Sequence, residues 1–232
     1  MLLARDIRVE PISAKTANEV IAVNHYSGKV VPNSQIHLGV FLGGRCGGAM
    51  QFGPSMDKSK TIGLVRDTKW HDFIELNRMA FADWLPRNSE SRALGVAMRL
   101  IKKTYPNIEW VISFADATKC GDGTIYRASG FVLTGIKENR TILEHPDGRS
   151  IASMTVSKDV ARMAENGGAA SVKALIDQGF AYRKGFMLRY MYFLNKAAVA
   201  RLTVPIVPFS AIGDSGATMY KGKRPDDGYA VK

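Results

Sequence analysis

The sequence has little of what metal-binding or secreted scaffolds need. It contains two cysteines, Cys46 and Cys120, and four histidines without the spacing of a zinc protease. Two cysteines cannot form a disulfide framework or a thiolate zinc site, so we expect two free thiols. No apolar run approaches the roughly 18 residues of a membrane span. Arg5 and Asp6 come too early for a signal peptide. These absences predict a cytoplasmic protein that does not enter a membrane.

Positive charge, in contrast, is abundant. The 232 residues include 32 Lys and Arg against 21 Asp and Glu, which gives a net charge of +11. The hydrophobic fraction of 46% is ordinary for a globular protein, and a chain of this length folds without covalent staples. Because basic side chains that neutralise phosphates release condensed counterions, the excess indicates a polyanionic partner.

The basic excess is concentrated near the C-terminus. The last 52 residues carry nine Lys and Arg against three Asp, or +6. We therefore expect DNA phosphates to be contacted there, by Arg183, Lys184 and Arg189. The strand predicted over 186–194 alternates, so Arg189 and a tyrosine could face DNA, although core packing explains most of its pattern.

Helical and strand patterns alternate along the chain. Helices are predicted over 13–26, 89–104, 123–129 and 160–179. Strands are predicted in a hairpin over 36–52, over 73–82 and 108–115, from 131, in a hairpin over 141–156, and over 186–194. This order is typical of an α/β or α+β fold with a central mixed sheet flanked by helices. We expect one domain over 1–213, ending in a hairpin, helix and strand elaboration, and a basic tail over 214–232.

The start of the helix at 89 is rich in small polar residues. Asn88, Ser89 and Ser91 occupy its first turn, with Arg87 and Arg92 beside them. Free backbone N–H groups and the helix dipole could bind an anion there. Simple N-capping by the same side chains is the alternative.

Two further residues carry potential chemistry. His25 ends an amphipathic helix and should face inward, where a hydrogen-bonded structural histidine is the alternative to a ligand. Asp116 ends an apolar strand, where side chains reach a cleft, but a helix cap or an arginine partner is the alternative. A histidine, a carboxylate and a phenolate would suit a ferrous ion, although spacing alone does not show that they converge.

Arg78 and Tyr126 also admit two interpretations. Arg78 could pair with Glu75 or Asp83 instead of contacting a ligand. Tyr126 could simply pack, since short helices beside a sheet often bury aromatic rings.

The order of elements resembles the acyl-CoA-dependent N-acyltransferase (GNAT) core. In that fold the coenzyme A pyrophosphate lies on the start of the helix after the fourth strand. A tyrosine of the next helix often protonates the departing thiolate, a role that falls here to Tyr126. The glycine-rich pyrophosphate signature of that fold is replaced in this sequence by RNSESR at 87–92.

Four short motifs make a closer resemblance, which covers roughly residues 20–200. They are HYSG at 25–28, ELNR at 75–78, NSES at 88–91, and AD at 115–116 followed by GTIYRA at 123–128. Together they resemble the bacteriophage Mu Mom family. Mom proteins are GNAT-like and modify the N6 amine of adenine in phage DNA, which shields that DNA from host restriction. The resemblance implies double-stranded DNA and acetyl-CoA as partners in the bacterial cytoplasm, and leaves a homodimer open.

The resemblance also implies roles for particular residues. Catalysis would involve Asp116, Tyr126, Arg78 and His25. Acyl-CoA binding would involve Ser91, Arg78, Asn88, Ser89 and Arg92. Iron, as Fe(II), would be bound by His25, Tyr26 and Asp116.

Two other functions fit the same sequence. An ordinary GNAT enzyme would acetylate a protein or small-molecule amine without DNA. A nonenzymatic DNA-binding protein would show salt-dependent binding and no affinity for acyl-CoA. The favoured DNA-modifying enzyme must also extrude its adenine, because the N6 amine is hidden inside a duplex.

Overall fold

A computed structural model describes residues 2–118, 121–140, 142–153, 156, 168–169 and 171–218. Cys120, the first half of the helix predicted over 160–179, and the tail over 219–232 lie outside this part. The chain forms two compact units. The first comprises residues 1–114, 123–135 and 189–209, and the second comprises 115–122, 136–188 and 210–232. The single-domain boundary expected at residue 213 stays a prediction.

Most described strands and helices lie close to those expected, but only Val172–Asp177 is helical in the described part of the helix predicted over 160–179. The strands are β1 (Arg8–Pro11), β2 (Ile36–Leu42), β3 (Arg45–Gly53), β4 (Phe73–Phe81), β5 (Trp110–Asp116), β6 (Val132–Glu138), β7 (Ile142–Glu144), β8 (Ser150–Ala152), β9 (Ala181–Tyr182) and β10 (Phe186–Phe193). The helices are α1 (Ala14–Asn24), α2 (Lys58–Thr61), α3 (Ser89–Thr104), α4 (Thr124–Ala128), α5 (Val172–Asp177) and α6 (Ser210–Asp214).

The larger sheet has the strand order β1-β2-β3-β4-β5-β10-β6. Strands β1 to β4 pair antiparallel with their neighbours, whereas β4 and β5 pair parallel. The sheet is therefore mixed, and the predicted mixed α/β fold is confirmed.

The core of the first unit lies on β4 and β5. Phe73 and Trp110 stack with ring centroids 4.3 Å apart and planes inclined by only 7°, and both rings are buried. Met191 and Phe193 of β10 join the same apolar cluster. Burial of large rings on both strands holds the amino-terminal halves of β4 and β5 together.

Beyond that core, β4 and β5 separate. Their parallel pairing covers three positions, and Glu75 opposite Ile112 is the last of them. On its other edge β4 carries a bulge against β3, where Gln51 pairs with Arg78 but Phe52 pairs with Leu76. The extra residue, Asn77, bends β4 at the point where it leaves β5. The sheet therefore opens between two adjacent parallel strands.

Helices α1 and α3 form as the periodicity predicts. Ser13 caps α1 by accepting a hydrogen bond from the Thr16 N–H at 3.0 Å. Its apolar side, Ala17 and Ile21, packs on Ala49 and Ala80 of the sheet. Helix α3 covers the predicted range of 89–104.

The second unit contains a three-stranded antiparallel sheet in the order β8-β7-β9. The predicted hairpin over 141–156 is confirmed, with β7 and β8 joined by a turn at Asp147 and Gly148. Leu143, Leu175 and Phe180 form its apolar cluster. Among the helices that the structure describes, none has the length and apolar character to span a membrane.

Candidate active site

The opening between β4 and β5 contains a tyrosine hydroxyl. Tyr126 lies on α4, and its phenol oxygen is 2.8 Å from the hydroxyl of Ser113 on β5. The Ser113 hydroxyl is in turn 3.2 Å from the carbonyl oxygen of Leu76 on β4. The predicted acid therefore lies at the first position where the two strands have parted.

The ring of Tyr126 is held by other aromatic rings. It stacks on Tyr190 and meets Phe131 edge-on at a centroid distance of 5.3 Å. Gly123, just before α4, has φ +78°, and a Cβ there would lie 2.5 Å from the Tyr190 ring. Only glycine allows both this backbone conformation and this close approach.

His25, Tyr26 and Arg78 come together at the carboxyl end of α1. The His25 and Tyr26 rings lie 4.3 Å apart. Burial, and next the Arg78 charge, lower the pKa of His25 from 6.5 to about 4. The Ser27 N–H donates to His25 Nδ1 at 3.2 Å, so the proton of the neutral ring is on Nε2. At neutral pH His25 is a hydrogen-bond donor at Nε2 and not a proton acceptor.

Arg78 is fixed by the main chain. Its Nε donates to the Lys29 carbonyl at 3.3 Å, and its Nη1 donates to the Asn77 carbonyl at 2.9 Å. No ion pair with Asp83 or Glu75 occurs within the described residues. The ion-pair alternative is therefore not seen, and the contact of Arg78 with a ligand stays a prediction.

Glu75 is a residue to which the sequence analysis assigned no role of its own. It lies three residues before Arg78 on β4, and its burial raises the pKa of its carboxyl group. Donors from Ser55, the Met56 N–H and Asn77, together with the Arg78 charge, partly offset that effect. A carboxyl group with a raised pKa beside an opening is a candidate for proton transfer. Its place in the ELNR motif was the one signal available in the sequence.

The start of α3 lacks a side-chain cap. Asn88, in the left-handed conformation with φ +69°, makes no capping hydrogen bond. The hydroxyls of Ser89 and Ser91 instead donate to the carbonyls of Pro86 and Asn88, at 2.6 and 3.3 Å. Arg92 is exposed and donates to the Arg5 carbonyl at 3.0 Å. The simple capping alternative is therefore wrong for Asn88. The Ser89 N–H donates to the Pro86 carbonyl at 3.1 Å, and the other first-turn N–H groups keep their capacity for an anion.

Asp116 belongs to the second unit. Its Oδ1 accepts hydrogen bonds from the Thr118 N–H at 2.9 Å and from the Asn139 amide at 3.1 Å. Asn139 also donates to the Thr118 hydroxyl at 2.8 Å. These contacts fix the turn that follows β5, a structural role that differs from the expected helix cap, and the catalytic role of Asp116 stays a prediction.

The described residues give no direct support for an iron site. Nδ1 of His25 already accepts the Ser27 N–H, and Oδ1 of Asp116 already accepts two donors. In the part of the chain that the structure describes, no three His, Cys, Asp or Glu side chains gather around a common point. The iron that the resemblance implied for His25, Tyr26 and Asp116 is therefore unsupported.

The three predicted DNA contacts differ in their surroundings. Lys184 is exposed. Arg183 forms an ion pair with Glu144. Arg189 is half-buried, and its guanidinium donates to the Thr134 hydroxyl at 3.0 Å and the Thr134 carbonyl at 2.7 Å. Arg189 therefore ties β10 to β6, and this structural role competes with phosphate contact.

The net positive charge is also distributed differently from the C-terminal concentration that the sequence led us to expect. The first unit carries 19 Lys and Arg against 10 Asp and Glu, a net +9, whereas the second carries 13 against 11, a net +2. Most of the basic excess therefore belongs to the unit that contains His25, Arg78 and Tyr126.

The fold and site define a mixed α/β protein whose sheet opens between two parallel strands beside a tyrosine. Comparison with protein families shows that residues 6–211 match the Mom protein family. A relative from Escherichia phage Mu, Methylcarbamoylase mom, is 38% identical over 205 residues, which cover 88% of this chain and 82% of the relative. The chain belongs to the Mom protein family.

Solved acetyltransferase structures are also similar. A Bacillus subtilis acetyltransferase in complex with CoA is 10% identical, covers 83% of this chain and 99% of its own, and has a TM-score of 0.46. The ribosomal-protein-S18-alanine N-acetyltransferase from Escherichia coli is 10% identical, covers 81% and 94%, and has a TM-score of 0.45.

Proposed function

We propose that this protein transfers a carbonyl-bearing group from a coenzyme A thioester to the N6 amine of adenine in double-stranded phage DNA, and so protects that DNA from host restriction. The observation that carries the proposal is the parting of β4 and β5 after Glu75 and Ile112, with the Tyr126 hydroxyl at that position. Family membership and the net charge of +9 on the first unit support a DNA substrate.

In this proposal the thioester lies along the opening, and its pyrophosphate lies at the start of α3. Asn88, Ser89, Ser91, Arg92 and Arg78 would hold it. The uncapped N–H groups and the helix dipole favour an anion there. Ser129 donates to the Ser91 carbonyl at 3.3 Å, so the same turn is tied to the segment just after α4.

The chemistry follows from the charges around the opening. N6 attacks the thioester carbonyl, a C–N bond forms, the C–S bond breaks, and Tyr126 protonates the thiolate. The neutral His25 donates a hydrogen bond through Nε2, and the Arg78 charge stabilises negative charge that develops on the carbonyl oxygen. Glu75, with its raised pKa, accepts the proton that N6 loses. Replacement Glu75→Gln keeps a side-chain oxygen that can accept the Met56 N–H but removes the carboxylate. If Glu75→Gln does not slow transfer, Glu75 is not the proton acceptor.

The chemical group found on the adenine tells which of two thioester donors the protein uses. Acetyl-CoA delivers an acetyl group, whereas the name of the phage Mu relative indicates a methylcarbamoyl group, which contains one additional NH. Mass spectrometry of nucleosides from DNA of cells that express the protein distinguishes the two adducts. If all deoxyadenosine in that DNA is unmodified, the proposal is contradicted.

Calorimetry tests the donor site directly. We expect acetyl-CoA to bind the wild type, and Ser91→Ala to weaken binding while Lys102→Ala, at the far end of α3, does not. Absence of acetyl-CoA binding by the wild type would favour the hypothesis of a nonenzymatic DNA-binding protein. Acetylation of amines without DNA would favour an ordinary GNAT enzyme.

A further inference from the structure

We propose that Ser113 is a positioning residue that sets the acidity of Tyr126, because its single hydroxyl proton can move from the Leu76 carbonyl to the Tyr126 oxygen. The inference rests on the proposed function, in which Tyr126 protonates the leaving thiolate. It goes beyond that function because it concerns a residue with no contact to either substrate in the proposal.

The geometry of Ser113 offers two acceptors to one proton. Its hydroxyl oxygen is 3.2 Å from the Leu76 carbonyl and 2.8 Å from the Tyr126 oxygen. A carbonyl can only accept, whereas a phenol both donates and accepts. The two hydrogen-bonding arrangements therefore differ by rotation of the Ser113 hydroxyl, without movement of any heavy atom.

Burial makes the choice between these arrangements important. Ser113 is 1% exposed, so water does not compete for its proton. The Tyr126 ring is fixed between Tyr190 and Phe131, and its oxygen stays within reach of Ser113. In such surroundings a hydrogen bond to an ionised oxygen is stronger than one to a neutral oxygen.

Transfer of the acyl group then changes the preferred arrangement. The C–N bond to N6 forms, the C–S bond breaks, and the thiolate takes the proton of Tyr126. The resulting phenolate has become the better acceptor, so the Ser113 proton turns from Leu76 to Tyr126. The phenolate later regains a proton from water, and Ser113 returns to the Leu76 carbonyl. Ser113 never gives up its proton and only stabilises the phenolate.

Ser113→Ala removes this stabilisation. Without the donor, the phenolate forms at higher pH, and we expect the alkaline limb of the pH–rate profile to move up by about one to two pH units. Because Tyr126 becomes a weaker acid, kcat falls about tenfold or more on the plateau. KM for acetyl-CoA stays unchanged. Ser113→Thr, which keeps the hydroxyl, should restore the pH profile.

A matched control removes a comparable hydroxyl elsewhere in the first unit. Thr68 accepts the Trp110 indole N–H at 3.2 Å and donates to the Val65 carbonyl at 2.7 Å. Thr68→Val should lower stability by a similar amount but leave the pH profile in place. If Thr68→Val moves the alkaline limb as Ser113→Ala does, a general loss of stability explains both and our inference is overturned.

Two further measurements decide the mechanism. In a Tyr126→Phe background, Ser113→Ala should slow transfer no further, and an equal slowing in both backgrounds would contradict the inference. Fluorine NMR of protein labelled with 3-fluorotyrosine identifies the Tyr126 resonance by its loss in Tyr126→Phe. The titration midpoint of the Tyr126 resonance should move up in Ser113→Ala. If Ser113→Ala does not fold, Ser113→Cys takes its place, because a thiol is a weaker donor than a hydroxyl and the midpoint should again move up. An unchanged midpoint in the folded variant refutes the inference.

The NMR titration needs no substrate, so the two proposals can fail separately. A shifted midpoint in a protein that transfers nothing to DNA would refute the proposed function and leave the coupling of Ser113 to Tyr126 intact. Transfer to DNA by a protein whose titration midpoint does not shift in Ser113→Ala would leave the proposed function intact and refute the coupling of Ser113 to Tyr126.

Discussion

The ring of Tyr126 stacks on the ring of Tyr190, with centroids 4.9 Å apart and planes inclined by 19°. This contact holds the ring independently of its hydroxyl. The packing and the chemistry of Tyr126 can therefore be separated by one substitution.

Replacement Tyr126→Phe should reduce modification strongly and preserve the fold. The stacked ring remains, so the free energy of unfolding should change by no more than about 1 kcal/mol. Loss of the proton donor should reduce transfer by about a hundredfold or more. Nucleoside mass spectrometry and urea unfolding measure the two effects. Near-normal modification would assign Tyr126 to packing alone.

The pKa of His25 makes a prediction about acid stability. Because the folded state lowers this pKa from 6.5 to about 4, the unfolded chain binds a proton more readily in that range. His25 therefore contributes stability that is present above pH 6.5 and is lost as the pH falls towards 4. For this partly screened ring we expect a loss of about 1–2 kcal/mol.

Replacement His25→Asn isolates that contribution, since its Oδ1 can still accept the Ser27 N–H. Urea unfolding at pH 7 and pH 4 should show a smaller acid-induced loss in the variant than in the wild type. Equal losses would mean that His25 does not titrate as its burial implies.

Two substitutions at Asp116 distinguish the hydrogen bonds that fix its turn from the negative charge of its carboxylate. Asp116→Asn keeps an Oδ1 that can accept from Thr118 and Asn139, so it should unfold like the wild type but modify no DNA if the charge is catalytic. Asp116→Ala loses both hydrogen bonds and should also lose about 1–3 kcal/mol of stability. Full activity of a folded Asp116→Asn protein would restrict Asp116 to its structural role.

The salt dependence of DNA binding tests the basic contacts. Each phosphate contact contributes a slope near −0.9 in log affinity against log salt. Replacing Arg183 and Lys184 by alanine should flatten the slope by up to about two, and by less if Arg183 keeps its ion pair with Glu144 on DNA.

The matched control for this measurement replaces Lys102 and Lys103, which are exposed at the carboxyl end of α3, and should leave the slope in place. Acetyl-CoA binding should not change in the Arg183 and Lys184 variant. An unchanged slope in the Arg183 and Lys184 variant would indicate that the DNA-facing surface belongs to the first unit, which carries most of the excess positive charge.

Regular elements were predictable from the sequence where one pattern dominates. The range of α3 agrees with its periodicity, and the apolar run before Asp116 forms β5, although the strand begins at Trp110 and not at 108. Such elements are set by local spacing of apolar residues, which the sequence shows directly.

The contacts of the site were not predictable in the same way. Ser113 reaches Tyr126 because Gly123 lets Tyr190 approach and orient the ring, a tertiary effect without a local pattern. Glu75 owes its raised pKa to burial and to the segment at Ser55, twenty positions away. The family resemblance implied iron at His25, Tyr26 and Asp116, but the sequence could not show whether those donor atoms come together.

The parting of β4 and β5 also bears on how this protein tolerates mutation. Beyond the pair of Glu75 and Ile112 the pairing of β4 with β5 ends, so the peptide N–H and C=O groups that follow no longer engage the neighbouring strand in that register. An extended ligand could bind to these peptide groups whatever side chains the strands carry. A one-residue insertion or deletion that removes the bulge at Asn77 would displace every peptide group after it. The length of β4 should therefore matter to this protein as much as the side chains of Glu75 and Arg78 that the strand carries.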